Sequence, residues 1–258
     1  MRRRRLAALA VLALLAGGCG GSAASSSGGS GGTLTVFAAA SLTNAFTELA
    51  KTYQSQHPGW KVRLNFAGSD ALAAQIEQGA HADTYAAASP KYPEQLQGEK
   101  LLGGTTNFAT NTLVLVVPSD NPAGITVVGD IAKGAKLVVG DPAVPIGAYT
   151  ETVLANLGID PGSLDIVSRE PAVTSILQKV ELGEADAGFV YVTDARSAGG
   201  KVRQIALPAA AQATAVYPIG VVSGSKQPKA AQQWIDLVMS SQGQRTLTGL
   251  GFGPAPSS

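Results

Sequence analysis

Four segments of this 258-residue chain place a small or hydroxyl-bearing residue where a helix should begin. The first is Phe37-Ala-Ala-Ala-Ser41-Leu-Thr-Asn44-Ala-Phe46. There Ser41 follows a strand-like run and precedes apolar residues at helical spacing. Phe66-Ala-Gly68-Ser69-Asp70-Ala-Leu72 repeats the same grammar. The third, Gly140-Asp-Pro-Ala-Val-Pro145-Ile146-Gly147-Ala-Tyr149, also runs into a helical pattern. The fourth is Glu170-Pro171-Ala172-Val173, with Pro171 expected at the first helical position, where its missing N–H is no loss. A helix start leaves N–H donors without intrahelical partners and carries about half a positive charge. Several such starts aimed at one point would solvate an anion without lysine or arginine. Taken singly, each reads as an ordinary N-terminal cap, and sequence alone does not establish convergence.

Other chemistry lacks its residues. No G-x-x-x-x-G-K-[ST] phosphate loop is present, and the glycine-rich tract at 28–32 lacks the strand-turn-helix context of a dinucleotide site. The two histidines, His57 and His81, have no helical i, i+4 partner, which argues against zinc. A hydrolase built on Ser41 or Ser69 would need one of them as its base, and no G-x-S-x-G elbow supports it. One cysteine excludes an internal disulfide and a cysteine-cluster metal site. No cofactor is implied.

Charge narrows the partners. Four of the 19 basic residues are Arg2 to Arg5, so the chain beyond them carries 15 basic against 18 acidic residues. That balance does not suit nucleic acid. Arg2–Arg5, the eleven-residue apolar run Leu6–Ala16 and Gly17-Gly18-Cys19 have the order of an export signal, and the run is too short to span a bilayer. The ending resembles the lipobox of bacterial lipoproteins, with signal peptide 1–18 and Cys19 lipidated. Ala16 stands where leucine is commonest in that motif. Thirteen Gly, Ser and Ala residues, Gly20–Gly32, then form a flexible tether reaching about 20 Å. The expected location is extracytoplasmic, anchored to the cell membrane.

The elements that must position the four helix starts follow in order. Strands are expected at 33–38, 62–66, 85–88 and 113–117, with helical spacing from Leu42 to Tyr53 and from Leu72 to Ile76. A second series has strands at 137–139 and 187–191 and helices at 150–157 and 173–180. A strand at 216–222 and a helix at 230–239 end the chain. Alternating strands and helices imply an α/β fold with largely parallel sheets. Crossovers near 115–119 and 214–218 give two lobes: 33–116 with 217–258, and 117–216.

The motifs, in order, resemble the periplasmic molybdate-binding proteins of ABC importers. Ala38-Ala-Ala-Ser41-Leu-Thr-Asn-Ala-Phe46 is similar to the opening motif. Phe66-Ala-Gly-Ser69, Gln75-Ile-Glu-Gln-Gly79 and Ala82-Asp83 resemble the second block. Asn107–Leu115 resembles the central strand, and Val139–Gly147 and Ala187–Ala195 complete the set. The resemblance implies a two-lobed type II periplasmic-binding-protein fold, with a hinge and interlobe cleft, that is not an enzyme. It also implies molybdate, and tungstate of nearly the same size, as ligand. A membrane permease and ATPase would be partners of a monomer. By position, Ser41 and Ser69 would donate hydroxyl and backbone N–H, Ile146 and Val173 backbone N–H, and Tyr191 its phenol. Asp70, where a neutral residue is common, would repel a dianion if it faced the ligand. A sulfate, phosphate or other small-anion binder on the same fold, and a surface lipoprotein without ligand, remain as alternatives.

Overall fold

The structure is a computed structural model describing residues 31–256. The export leader, Cys19 and tether residues 20–30 lie outside the described residues. The first run is β1 (Thr33–Ala39), a 3-10 turn at Ala40–Leu42, α1 (Thr43–Gln56), β2 (Lys61–Ala67), α2 (Ser69–Glu77), β3 (Thr84–Ala86), α3 (Lys91–Gly98) and β4 (Leu102–Pro118). The second is β5 (Lys136–Gly140), α4 (Pro145–Leu157), β6 (Asp165–Glu170), α5 (Val173–Glu181), β7 (Ala187–Tyr191), α6 (Val192–Ser197) and β8 (Val202–Ile205). The chain returns through β9 (Thr214–Val222), α7 (Pro228–Met239) and α8 (Ser241–Gly249).

The sheet order is β2-β1-β3-β9-β4-β7-β5-β6, with β8 also on β4. β1 is parallel to β2 and β3, and β5 is parallel to β6 and β7. Helices between these strands carry the chain back each time, which is what parallel pairing requires. The centre is antiparallel, because β4 takes the chain across the sheet and β9 returns it. β4 is shared: up to Thr112 it pairs with β9, and from Leu113 with β7 and β8. The change of partners falls a few residues before the crossover expected at 115–119.

Burial explains the elements. Six of the seven β1 residues are buried, as for a strand covered on both faces. Ala45, Phe46, Leu49, Ala50 and Tyr53 form the inward stripe of α1. Trp234 of α7 meets Phe46 edge-on at 5.3 Å between ring centroids, and Tyr217 of β9 meets Phe108 at 6.1 Å. Tyr217 of this cluster also reaches Ser41, just after β1.

Two local expectations are corrected. Helix α4 begins at Pro145, with Pro at its first position, rather than at Thr150. Pro171 is not the first residue of its helix. Ala172 is extended (φ −156°, ψ 151°) and α5 starts at Val173, so Pro171 stands outside the helix.

Gly147, in the first turn of α4, lies against the end of β5. A Cβ there would sit 1.9 Å from the Asp141 carbonyl oxygen, and backbone cannot yield as a side chain would. Gly147→Ala is expected to lower stability by about 1–3 kcal/mol, the usual cost of forcing atoms into a packed site. Urea unfolding of the variant beside the parent measures it.

Candidate functional site

Each of the five expected site residues sits where an element begins or ends. Ser41 occupies the 3-10 turn after β1, and Ser69 is the first residue of α2. Ile146 is the second residue of α4 and Val173 the first of α5. Tyr191 is the last residue of β7. All five line one small cavity of about 20 Å³. The remaining walls are Ala, Gly, Val and Pro; no Lys, Arg, His, Asp or Glu lines it among the described residues.

The helix starts keep their donors. The residues flanking them are Leu42 before α1, Gly68 before α2, Val144 before α4 and Ala172 before α5. None makes a side-chain capping hydrogen bond. First-turn N–H groups are therefore not consumed by the usual Ser, Thr, Asp or Asn caps. An ordinary-cap role for Ser41 and Ser69 is thus set aside.

The hydroxyls are arranged as donors too. The Ser69 oxygen accepts the Ala88 N–H at 3.1 Å, which leaves its own O–H for the cavity. Its carbonyl accepts the Tyr85 phenol at 2.7 Å. Ser41 Oγ lies 3.0 Å from Tyr217 Oη; with Tyr217 donating, the Ser41 O–H is also free. The Tyr191 Oη is buried and has no hydrogen-bond partner among the described residues. Burial, reinforced by the neighbouring Tyr217, holds the Tyr191 phenol well above its ordinary value, so it keeps its proton. A buried orphan hydroxyl costs free energy unless something meets it, and Tyr191 is one of the residues that line the cavity. Asp70 does not line the cavity. Its buried Oδ1 lies instead beside Gly68, near the Pro171 carbonyl.

The Tyr217, Tyr85 and Ala88 contacts were not readable from sequence, since they join residues 16 or more positions apart. Asp194 was missed for another reason. It sits inside the quoted Ala187–Ala195 motif but has no charged neighbour in sequence before Arg196. It is only 6% exposed and its Oδ2 has no partner among the described residues. Burial pushes its carboxyl up to about 7, partly offset by the backbone N–H groups of Tyr191 and Asp194. Together with Ser41 it borders a larger neighbouring hollow of about 430 Å³, which also has Glu181 and Arg196 on its walls. That hollow gathers only one of the five expected residues, Ser41.

The folded state binds the Asp194 proton more tightly than an unfolded chain, whose carboxyl titrates near 3.8. Stability should therefore be highest below about pH 4 as far as this group is concerned. It should be lost as pH rises through 7, at up to about 1.4 kcal/mol per unit. Asp194→Asn is expected to flatten that decline. Urea unfolding between pH 5 and 8 checks it: an equally steep loss in the variant would assign the dependence elsewhere.

A family model for bacterial extracellular solute-binding proteins matches residues 34–253. The molybdate-binding protein ModA of Mycobacterium tuberculosis is 41% identical over 222 residues, 85% of this chain and 84% of that protein. The ModA of Haemophilus influenzae is 36% identical, over 85% of this chain and 89% of its own length. In structure, the periplasmic molybdate-binding protein of Azotobacter vinelandii aligns with a TM-score of 0.77 at 23% identity. The alignment covers 87% of this chain and all of that one, and shows the same fold. The chain belongs to the bacterial extracellular solute-binding proteins, in the family of ModA.

Proposed function

We propose that this chain captures molybdate, and tungstate with it, outside the cell membrane and hands the anion to the permease and ATPase of an ABC importer. One observation carries the reading. Five residues from five separate segments, Ser41, Ser69, Ile146, Val173 and Tyr191, line one cavity whose walls bear no charged side chain. The two ModA relatives are named as molybdate-binding proteins, in keeping with that chemistry. Ser41 and Ser69 would give hydroxyl and backbone N–H, Ile146 and Val173 backbone N–H, and Tyr191 its phenol.

The binding unit is read as a clamshell. Residues 33–116 with 217–258 form one lobe and 117–216 the other. Ser41 and Ser69 come from the first, the remaining three from the second. An anion touching both favours the closed form by its differential contacts. The dianion gives up its water and regains hydrogen bonds from fixed dipoles. A donor-only site prefers an anion without a proton, which disfavours phosphate at neutral pH. Sulfate has no such proton but is smaller, so cavity size must select against it. We further read the chain as a monomeric lipoprotein, Cys19 holding it to the membrane through a lipid anchor and the Gly20–Gly32 tether.

Thermal unfolding with molybdate, tungstate, sulfate and phosphate tests the assignment. At 100 times Kd, molybdate and tungstate should each add about 2.7 kcal/mol. Absence of any shift with both at millimolar concentration sinks the reading. Ser41→Ala, Ser69→Ala and Tyr191→Phe should each weaken molybdate binding about tenfold or more, the cost of one hydrogen bond to a charged group. Unchanged affinity in all three would put the site elsewhere.

A further inference from the structure

We propose that Tyr92 is a positioning residue that latches the two halves together and so sets how tightly the anion is held. The inference rests on the clamshell reading above. Tyr92 is in α3, and its ring is buried with Phe37, Leu72, Tyr85 and Leu96 on the β1–β3 side of the molecule. Its hydroxyl donates to the Ala143 carbonyl, which belongs to the turn between β5 and α4 on the other side. Tyr92 does not line the anion cavity, so this bond spans the halves without touching ligand.

The acceptor is held ready. The Ala143 N–H donates to Asp141 Oδ1 at 2.9 Å, and the Val144 N–H to the Asp141 carbonyl at 3.0 Å. That fixes the turn and therefore the direction of the Ala143 carbonyl. The same turn leads directly into Pro145 and Ile146, at the α4 start that lines the cavity. A bond from Tyr92 thus holds an anion-binding helix start against the opposite half. Backbone packing supports the same closure at Gly68: a Cβ there would lie 2.5 Å from the Pro171 carbonyl oxygen, so the halves meet closely at that point.

If the bond exists only in the closed form, it raises the closed population before any ligand arrives. Apparent affinity scales with that population. Tyr92→Phe keeps the buried ring and removes only the donor. Ala143 is exposed, so water can take up the freed carbonyl, and the fold should persist.

The test measures molybdate and tungstate binding by calorimetry and stopped flow, and the radius of gyration of ligand-free protein by X-ray scattering. For Tyr92→Phe, binding should weaken about two- to tenfold, mostly through faster dissociation. Both anions should lose affinity by the same factor, and ligand-free protein should be more expanded than the parent. Asp141→Ala, which releases the turn while keeping Tyr92, should shift all three readouts the same way. Unchanged dissociation rates and unchanged ligand-free dimensions in both variants would overturn the latch. A parent that binds neither anion would instead defeat the proposed function, and the ligand-free scattering would still decide the latch.

Discussion

A peptide N–H at the start of a helix has no carbonyl of its own helix to bond, and much of this structure follows from leaving that need unmet. Gly68, Val144 and Ala172 precede three of the helices and none has a side chain able to cap. Capping would satisfy the donors locally and make each helix somewhat more stable. Without it the first-turn donors are left uncapped beside the cavity, together with the Ser69 hydroxyl, whose oxygen already accepts from Ala88, and the Ser41 hydroxyl, which shares a hydrogen bond with Tyr217. The site is therefore prepared for an acceptor before one arrives. Preorganised dipoles need no rearrangement when the charge comes in.

Holding such a site requires strand ends that are fixed relative to one another, and the sheet supplies them. β1 and β5, central in their parallel sets, deliver the chain to Ser41 and to the α4 start from below. β4 continues from one set into the other, so the halves are joined by continuous strand rather than by a loose linker. Tyr217 of β9 joins this frame to the site through Ser41, and its ring packs on Tyr191, Phe108 and Phe252. Side chains that line the cavity are thus themselves held by the core.

Much of this was legible in the sequence. β1, α1, β2, β5, α5, β7 and α7 follow apolar spacing that one face of a strand or helix imposes, and they appear close to their expected limits. The five candidate residues come from the family resemblance by position, and all five line one cavity. The elements without such a signal were harder. β6 has only two residues with apolar side chains, Ile166 and Val167, and Val167 is exposed. α8, Ser241–Gly249, contributes one large apolar residue, Leu247, to the core. By apolar pattern β4 reads as a strand only in its buried Leu113–Val117 stretch, and the family resemblance extends it back to Asn107; its more polar first half is held by pairing with β9, a contact over about a hundred residues that no local pattern announces. Asp70 was ambiguous because a position in the first turn of a helix does not say which way a carboxylate points.

The place of β9 in the sheet also bears on when the molecule can assemble. It lies between β3 and β4 although it is the last of the nine strands to be synthesised among the described residues. Until Val222 is available, β3 and the first part of β4 lack the neighbour they share, and both present open edges. Long-range closure of this kind comes late and slowly. A nascent chain emerging N-terminus first is therefore left pliable until almost all of it has been made.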